Sequence, residues 1–322
     1  MPSNKIDTHI HIVTPALAKA IRTAGGDPSG WHVPEWSPEL AVGALNDLGI
    51  EKAIFSITAP GPSVLGSGIE ARKAAREINE ECLAVVKSNP SRFSLWASTP
   101  SWIDVEGTIE EIEWAIVKNH LPGVVIMSSY ADRLLGDDLF QPIWKRLNEL
   151  KANVFIHPAA INIKPMMIAN RLPQPWVDYP VATTRTAVDL VLTGTVTRHP
   201  DVNIILSHAG GTLPFIATRV MWLTRNEEFH GRSGFLSSEE TKKAFQKFYL
   251  DLALSTSKTH VTGCLEFTTP DKILYGSDWP YAPLHTCQSM TDTFDKFVNT
   301  QEGEVLLAAA RDNAVRLLGN RL

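Results

Sequence analysis

Short apolar runs alternate along the chain with longer stretches in which apolar residues recur every three or four positions. The runs are Lys5–Val13, Lys52–Thr58, Arg92–Thr99, Gly123–Ser129, Asn153–Ala159, Val202–Gly210, Tyr249–Ser255 and Lys272–Asp278. Their length and continuous apolar character predict strands buried on both faces. Between them, helical periodicity predicts helices over Ile69–Lys87, Thr108–Asn119, Pro142–Lys151, Ala182–Thr197 and Leu213–Arg225. Further helices are expected from Ser237 to about Phe248, from about Ser289 and from about Glu304. The helix at Pro38 carries its own punctuation. Ser37 is a hydroxyl N-cap, Pro38 opens the first turn, Glu39 faces the positive dipole end, and Gly49 stops it.

Eight strand-like units alternating with helices predict an α/β fold with a parallel sheet, closed as a (β/α)8 TIM barrel. No glycine fingerprint follows the first strand, and no GxxxxGK[ST] loop occurs, which argues against a nucleotide-binding open sheet. Residues 14–36 carry Gly25, Gly26, Pro28 and Gly30 and read as an irregular loop or small lid insertion after the first strand. No repeat or low-complexity linker divides the chain, so 1–322 is expected to be one barrel domain.

Composition narrows the function classes. Hydrophobic residues make up 44% and charged residues 20%, and the formal net charge is −5. With no basic run, nucleic acid is not an expected partner. No run is long enough to span a bilayer, and the N-terminus lacks a signal-peptide pattern, so a cytoplasmic protein is expected. Cys82, Cys264 and Cys287 are unpatterned and read as reduced thiols.

Candidate chemistry sits at the ends of the apolar runs. His9 and His11 are two apart on the first strand and share one face. His157 ends the fifth run, His208 the sixth and Asp278 the eighth. In a barrel these positions meet at one mouth. His9, His11, His157 and Asp278 supply three imidazole nitrogens and one carboxylate, a set suited to Zn²⁺ and tolerant of Mn²⁺. Trp31, Trp36, Trp102 and Trp176 are available either to line an aromatic-acid pocket or to pack ordinarily. Met166 and Met167 would suit an adaptable apolar wall. His32, His120, His199, His230, His260 and His285 are expected to be solvated or structural. Asp7 is expected to turn from the histidine face and make a structural hydrogen bond at the barrel base.

The motifs DTHIH, FIHP, ILSHAGG and YGSDWP resemble the metal and catalytic motifs of the amidohydrolase superfamily. More narrowly they resemble its aminocarboxymuconate semialdehyde decarboxylase branch. Leu172–Phe215 is most similar to the 6-methylsalicylate decarboxylases of fungal polyketide pathways. The resemblance implies one divalent ion, because no lysine follows the fourth strand to bridge two. Zn²⁺ is the expected ion, since the His9-x-His11 pair is kept, and Mn²⁺ the alternative. It implies an ortho-hydroxybenzoate substrate, with 6-methylsalicylate going to m-cresol and CO₂. Direct loss of CO₂ would leave an aryl carbanion. Protonating the carboxylate-bearing carbon first gives a dienone that can accept the electron pair. By the same resemblance Asp278 delivers that proton and His208 is the supporting acid/base. Arg219, eleven positions after His208, would meet the substrate carboxylate from a neighbouring subunit. A homodimer or higher oligomer follows. The competing readings are a mononuclear metal-dependent hydrolase of a lactone or amide and a catalytically inactive binding protein.

Overall fold

The apolar runs pair in the order in which they occur, each parallel to its neighbour. In a computed structural model that describes residues 4–224 and 236–322, the barrel strands are β1 (Lys5–His11), β2 (Ile50–Ser56), β3 (Phe93–Ser98) and β4 (Gly123–Met127). They continue as β5 (Asn153–His157), β6 (Asn203–Leu206), β7 (Tyr249–Asp251) and β8 (Ile273–Leu274). The last pairing falls to the chain just past β8. Thr8 donates to the Tyr275 carbonyl at 3.0 Å, and Ser277 and Asp278 donate to the His9 carbonyl at 3.1 and 2.8 Å. His11 donates to the Trp279 carbonyl at 2.7 Å, which completes a nearly closed eight-stranded barrel.

Why the strands are so uniformly apolar is then plain. Their side chains are buried both inside the barrel and beneath the helices. Trp96, Phe55 and Phe155 are fully buried on central strands, and Trp96 donates its indole N–H to the Thr8 carbonyl at 2.9 Å. This packing fixes the strand ends relative to one another, which is what a site assembled from several strands needs.

Ser37 caps its helix as expected, accepting from Leu40 N–H, and the helix runs Pro38–Asp47 with Gly49 left-handed at φ 65°. Ser237 forms a full capping box with Glu240 at the start of Ser238–Phe245. Several expectations need correction, among them the helix expected over Ala182–Thr197, which is two, Asp178–Leu192 and Thr195–Arg198, split at left-handed Gly194. Residues 14–36 are not irregular throughout, because Pro15–Thr23 is a helix. Thr14 caps it and Pro15 opens it, and the Ala/Leu-rich sequence that follows favours helix until Gly25 and Gly26. A helix over Lys258–Phe267, capped by Ser257, was not expected at all. The Thr108–Asn119 helix begins earlier, at Val105, because Asp104 caps it through Gly107 N–H, and it widens to a π turn over Trp114–Lys118. The expected helix end at Arg225 and the reading of His230 lie outside the described residues. None of the described helices is long and apolar enough to cross a membrane.

Candidate active site and metal centre

Four side chains from two strands, β1 and β5, and the turn after β8 converge at the C-terminal mouth of the barrel. One ligand atom each from His9, His11, His157 and Asp278 lies within 4.8 Å of all the others, and all four residues are buried. His11 Nε2 is 2.9 Å and His9 Nε2 is 3.3 Å from Asp278 Oδ1. His208 Nε2 approaches the other oxygen, Oδ2, at 3.6 Å. The imidazole rings pack edge to face, with His9 and His11 centroids 5.0 Å apart.

The outer nitrogens explain which way the rings point. His9 Nδ1 donates to Asp251 Oδ2 at 3.0 Å. His157 Nδ1 donates to the Pro158 carbonyl at 2.8 Å, and His11 Nδ1 faces the Ser56 carbonyl at 3.3 Å and its hydroxyl at 3.1 Å. A neutral imidazole whose Nδ1 carries the proton presents a lone pair at Nε2. In agreement, His9 Nε2 is buried and makes no hydrogen bond. Such an orphaned, inward-facing nitrogen is expensive unless something binds it. The donor set and this orphan fit one divalent cation.

Electrostatics agree with that fit at His11, His157 and Asp278, while His9 lies between the carboxylates of Asp251 and Asp278. Burial lowers the proton affinity of His11, and burial together with the neighbouring imidazoles holds His157 well below the usual range. Burial works against charging Asp278, but contacts with His11, His208 and His9 outweigh it and hold the carboxyl well below the usual carboxylate range. Burial also opposes charging His9, yet the Asp251 carboxylate prevails and pushes the imidazole up to about 10.

The turns after β6, β7 and β8 are built from residues in the left-handed region. His208 has φ 54°, Ala209 57°, Leu254 53° and Asp278 65°. For non-glycine residues each such conformation costs about 1 kcal/mol. It swings His208 and Asp278 back over the mouth instead of along the strand direction.

Above the cluster lies a cavity of about 500 Å³, lined chiefly by apolar groups that include Trp31, Trp176, Phe215 and Met290. His157, His208 and Asp278 face it. No lysine or arginine lines it among the described residues.

The family can now be read from the whole chain. Residues 6–319 match the family model described as Amidohydrolase. This protein belongs to the amidohydrolase family. The chain is 40% identical over 325 residues to decarboxylase yanB of Aspergillus niger, a match covering 98% of this chain and 87% of that one. It is 35% identical over 316 residues to the 6-methylsalicylic acid decarboxylase acuB of Aspergillus aculeatus, covering 97% and 95%. Among solved structures, a 2,6-dihydroxybenzoate decarboxylase complexed with 2,6-dihydroxybenzoate superimposes with a TM-score of 0.81 at 20% identity, covering 99% of each chain. A dihydroxybenzoic acid decarboxylase from Polaromonas, with bound manganese and 2-nitroresorcinol, gives a TM-score of 0.81 at 21% identity, covering 99% of this chain and 97% of that one. At these identities the two structures bear on the fold.

In this amidohydrolase, β4 ends at Met127 and is followed by Ser128 and Ser129, with no lysine there to bridge a second ion. His208 joins the constellation beside Asp278, whereas Arg219 does not reach it within the chain. Arg219 is exposed on the helix Leu213–Leu223. The tryptophans divide: Trp31 and Trp176 line the cavity, while Trp102 is fully buried in the core and Trp36 packs edge-on against Phe55. His260, expected to be structural, faces the cavity, its Nδ1 3.0 Å from the Ser257 hydroxyl. Asp7 does make structural hydrogen bonds, but at the seam between β1 and the chain after β8. Its Oδ1 accepts from His9 N–H at 3.0 Å and Ser277 N–H at 3.2 Å. The two-residue spacing that unites His9 and His11 also holds for Asp7, which is why it stays with them.

Sequence reasoning missed Asp251, Asp27 and Tyr281. Asp251 had a signal, since it closes the apolar run YLD as the ligands close theirs. Asp27 and Tyr281 come from connecting segments, where no period announces direction.

Proposed function

We propose that this protein is a metal-dependent, non-oxidative decarboxylase of an ortho-hydroxybenzoate, with 6-methylsalicylate as its leading substrate and m-cresol and CO₂ as products. The single observation that carries the reading is the convergence of His9, His11, His157 and Asp278, with His208 alongside, beneath an apolar cavity large enough to admit an aromatic ring. The names of the fungal relatives point the same way.

His9, His11, His157 and Asp278 would hold the ion. When bound, it supplies a Lewis acid and a template that fixes the carboxylate and its neighbouring oxygen. Three nitrogens and one oxygen favour Zn²⁺, with Mn²⁺ the alternative. The apolar walls hold the ring flat and keep water away. The proton must reach the carbon that bears the carboxylate. The Asp278 carboxyl is held well below the usual carboxylate range, so it must take up a proton before delivering one; in this reading the donor is His208, whose Nε2 lies 3.6 Å from Oδ2, just beyond hydrogen-bond length. Once that carbon is protonated, the C–C bond breaks, its electron pair restores the aromatic ring, and CO₂ leaves.

Among the described residues no lysine or arginine lines the cavity to meet a carboxylate, which supports Arg219 acting on the site of a second copy. The same helix exposes Phe215, Trp222 and Leu223, apolar surface suited to burial in a homodimer. Three buried free cysteines suit a cytoplasmic location.

The test is product analysis with 6-methylsalicylate, related hydroxybenzoates and simple lactones, with and without chelator. Stoichiometric CO₂ and m-cresol, abolished by chelation and restored by metal, is the expected result. Acid released from lactones without any CO₂ would replace this reading with the hydrolase. The 2-methoxy analogue of the substrate should not turn over. Arg219→Ala should lower turnover with metal content unchanged; wild-type kinetics in that variant would refute its role.

A further inference from the structure

Asp251 is completely buried at the end of β7, and both of its oxygens are engaged. Oδ2 accepts from His9 Nδ1 at 3.0 Å. Oδ1 accepts from the backbone N–H of His208 at 3.1 Å and of Ala253 at 3.0 Å. One carboxylate thus touches the ring of a proposed metal ligand and the backbone of the proposed proton-transfer residue.

We propose that Asp251 is the positioning residue that sets the tautomer of His9 and the placement of His208 together. This rests on the metal-site reading above. An ionised carboxylate only accepts, so the nitrogen facing it must carry a proton. With the proton held on Nδ1, the lone pair of Nε2 turns inward, and Nε2 is the buried atom left without a hydrogen bond. His11 and His157 also turn Nδ1 to oxygen acceptors, but theirs are backbone carbonyls and a hydroxyl. His9 alone among the three leans on a full negative charge, which makes it the most basic ligand of the set.

The other oxygen acts on the backbone. His208 sits at φ 54°, a conformation that L-residues avoid. Its N–H is tied to Asp251, and this bond holds the turn that carries the imidazole toward Asp278. Because both tasks fall to one rigid group, any tilt of Asp251 moves the ligand and the proton donor in concert. The residue neither joins the four-residue ligand cluster nor lines the cavity, so it positions and does not itself react.

Asp251→Asn tests this. The amide keeps nearly the same shape, and its oxygen can still accept from His208 and Ala253. Its NH₂ then faces His9 Nδ1. That contact is satisfied only if Nδ1 gives up its proton, which moves to Nε2 and blocks the ligand atom. Zinc affinity, measured by competition with a chromophoric chelator, is expected to fall 10–100-fold. Turnover at saturating zinc should fall by a smaller factor, with the circular dichroism spectrum retained. Wild-type zinc affinity in the variant would overturn the proposal. Should the variant not fold, imidazole NMR of the zinc-loaded wild-type protein decides: a slowly exchanging, far-downfield proton on His9 Nδ1 is expected, and a bare Nδ1 would overturn it. Wild-type protein that takes up no zinc or manganese would remove the metal site itself, and Asp251's role with it. Zinc uptake by the wild type with an unaffected Asn variant would sink only the role of Asp251.

Discussion

The two ends of the barrel treat charge in opposite ways. At the N-terminal end, charges are paired. Lys5, which opens β1, meets Asp295 at 3.0 Å, and Arg311 meets Glu51, near the start of β2, at 2.9 Å. At the C-terminal mouth, polar groups are held unsatisfied or strained. His9 Nε2, His208 Nδ1 and the Tyr281 hydroxyl are buried without partners, and His208, Leu254 and Asp278 are left-handed. The same strands run through both ends, so the difference is not one of packing. It marks the base as the place where stability is maintained and the mouth as the place where it is given up for a preorganised site.

The sharpest separation should come from His208→Asn. Asparagine tolerates the left-handed backbone and keeps the N–H to Asp251. Turnover should fall by about 10²–10⁴-fold through loss of proton transfer, with bound metal retained. Thermal stability should hold or rise, by about 1 kcal/mol at most. Destabilisation in step with the activity loss would erase the contrast between the ends.

The converse variant is Lys5→Met. It leaves Asp295 without its partner at a site where Lys5 is 5% and Asp295 19% exposed. Partial solvent screening reduces the penalty for a lone buried charge to about 1–3 kcal/mol, readable as a lower denaturant midpoint. kcat/KM at a temperature where the variant is folded should stay within about twofold. A large catalytic loss would mean that the base is not separable from the mouth.

A smaller effect belongs to Asp7, which sits at the seam with one oxygen satisfied and Oδ2 without a partner. Burial raises its carboxyl from 3.8 to about 7. The folded chain therefore holds this proton more tightly than the unfolded chain. The contribution favours folding at low pH, is lost as pH rises from about 4 to about 7, and is flat above. In metal-free protein, the wild type should lose up to about 2 kcal/mol relative to Asp7→Asn between pH 5.5 and 7.0. Parallel pH profiles from urea titrations of the two proteins would contradict the assignment.

The sequence is most legible where geometry forces a pattern. A parallel strand buried on both faces must be an apolar run, and a residue such as His157 or Asp278 that ends the run must reach the mouth. That logic reached His9, His11, His157, His208 and Asp278. It fits Asp251 equally well, but a lone aspartate on a short strand has no partner histidine nearby in sequence to draw attention to it. The cavity wall was harder to read. Asp27, Trp31, Tyr281 and His260 come from connecting segments, whose paths depend on tertiary contacts and not on a period of two or 3.6. The helix Pro15–Thr23 was legible in principle from Thr14 and Pro15, but the glycines that end it dominated the reading of the whole stretch.

The central claim is that three imidazoles and one carboxylate grip a single divalent ion. Anomalous diffraction from crystals of metal-loaded protein tests it most directly. One strong peak per chain is expected, about 2.0–2.2 Å from nitrogens of His9, His11 and His157 and an oxygen of Asp278. No peak at the mouth, or a peak held by other residues, would contradict the account.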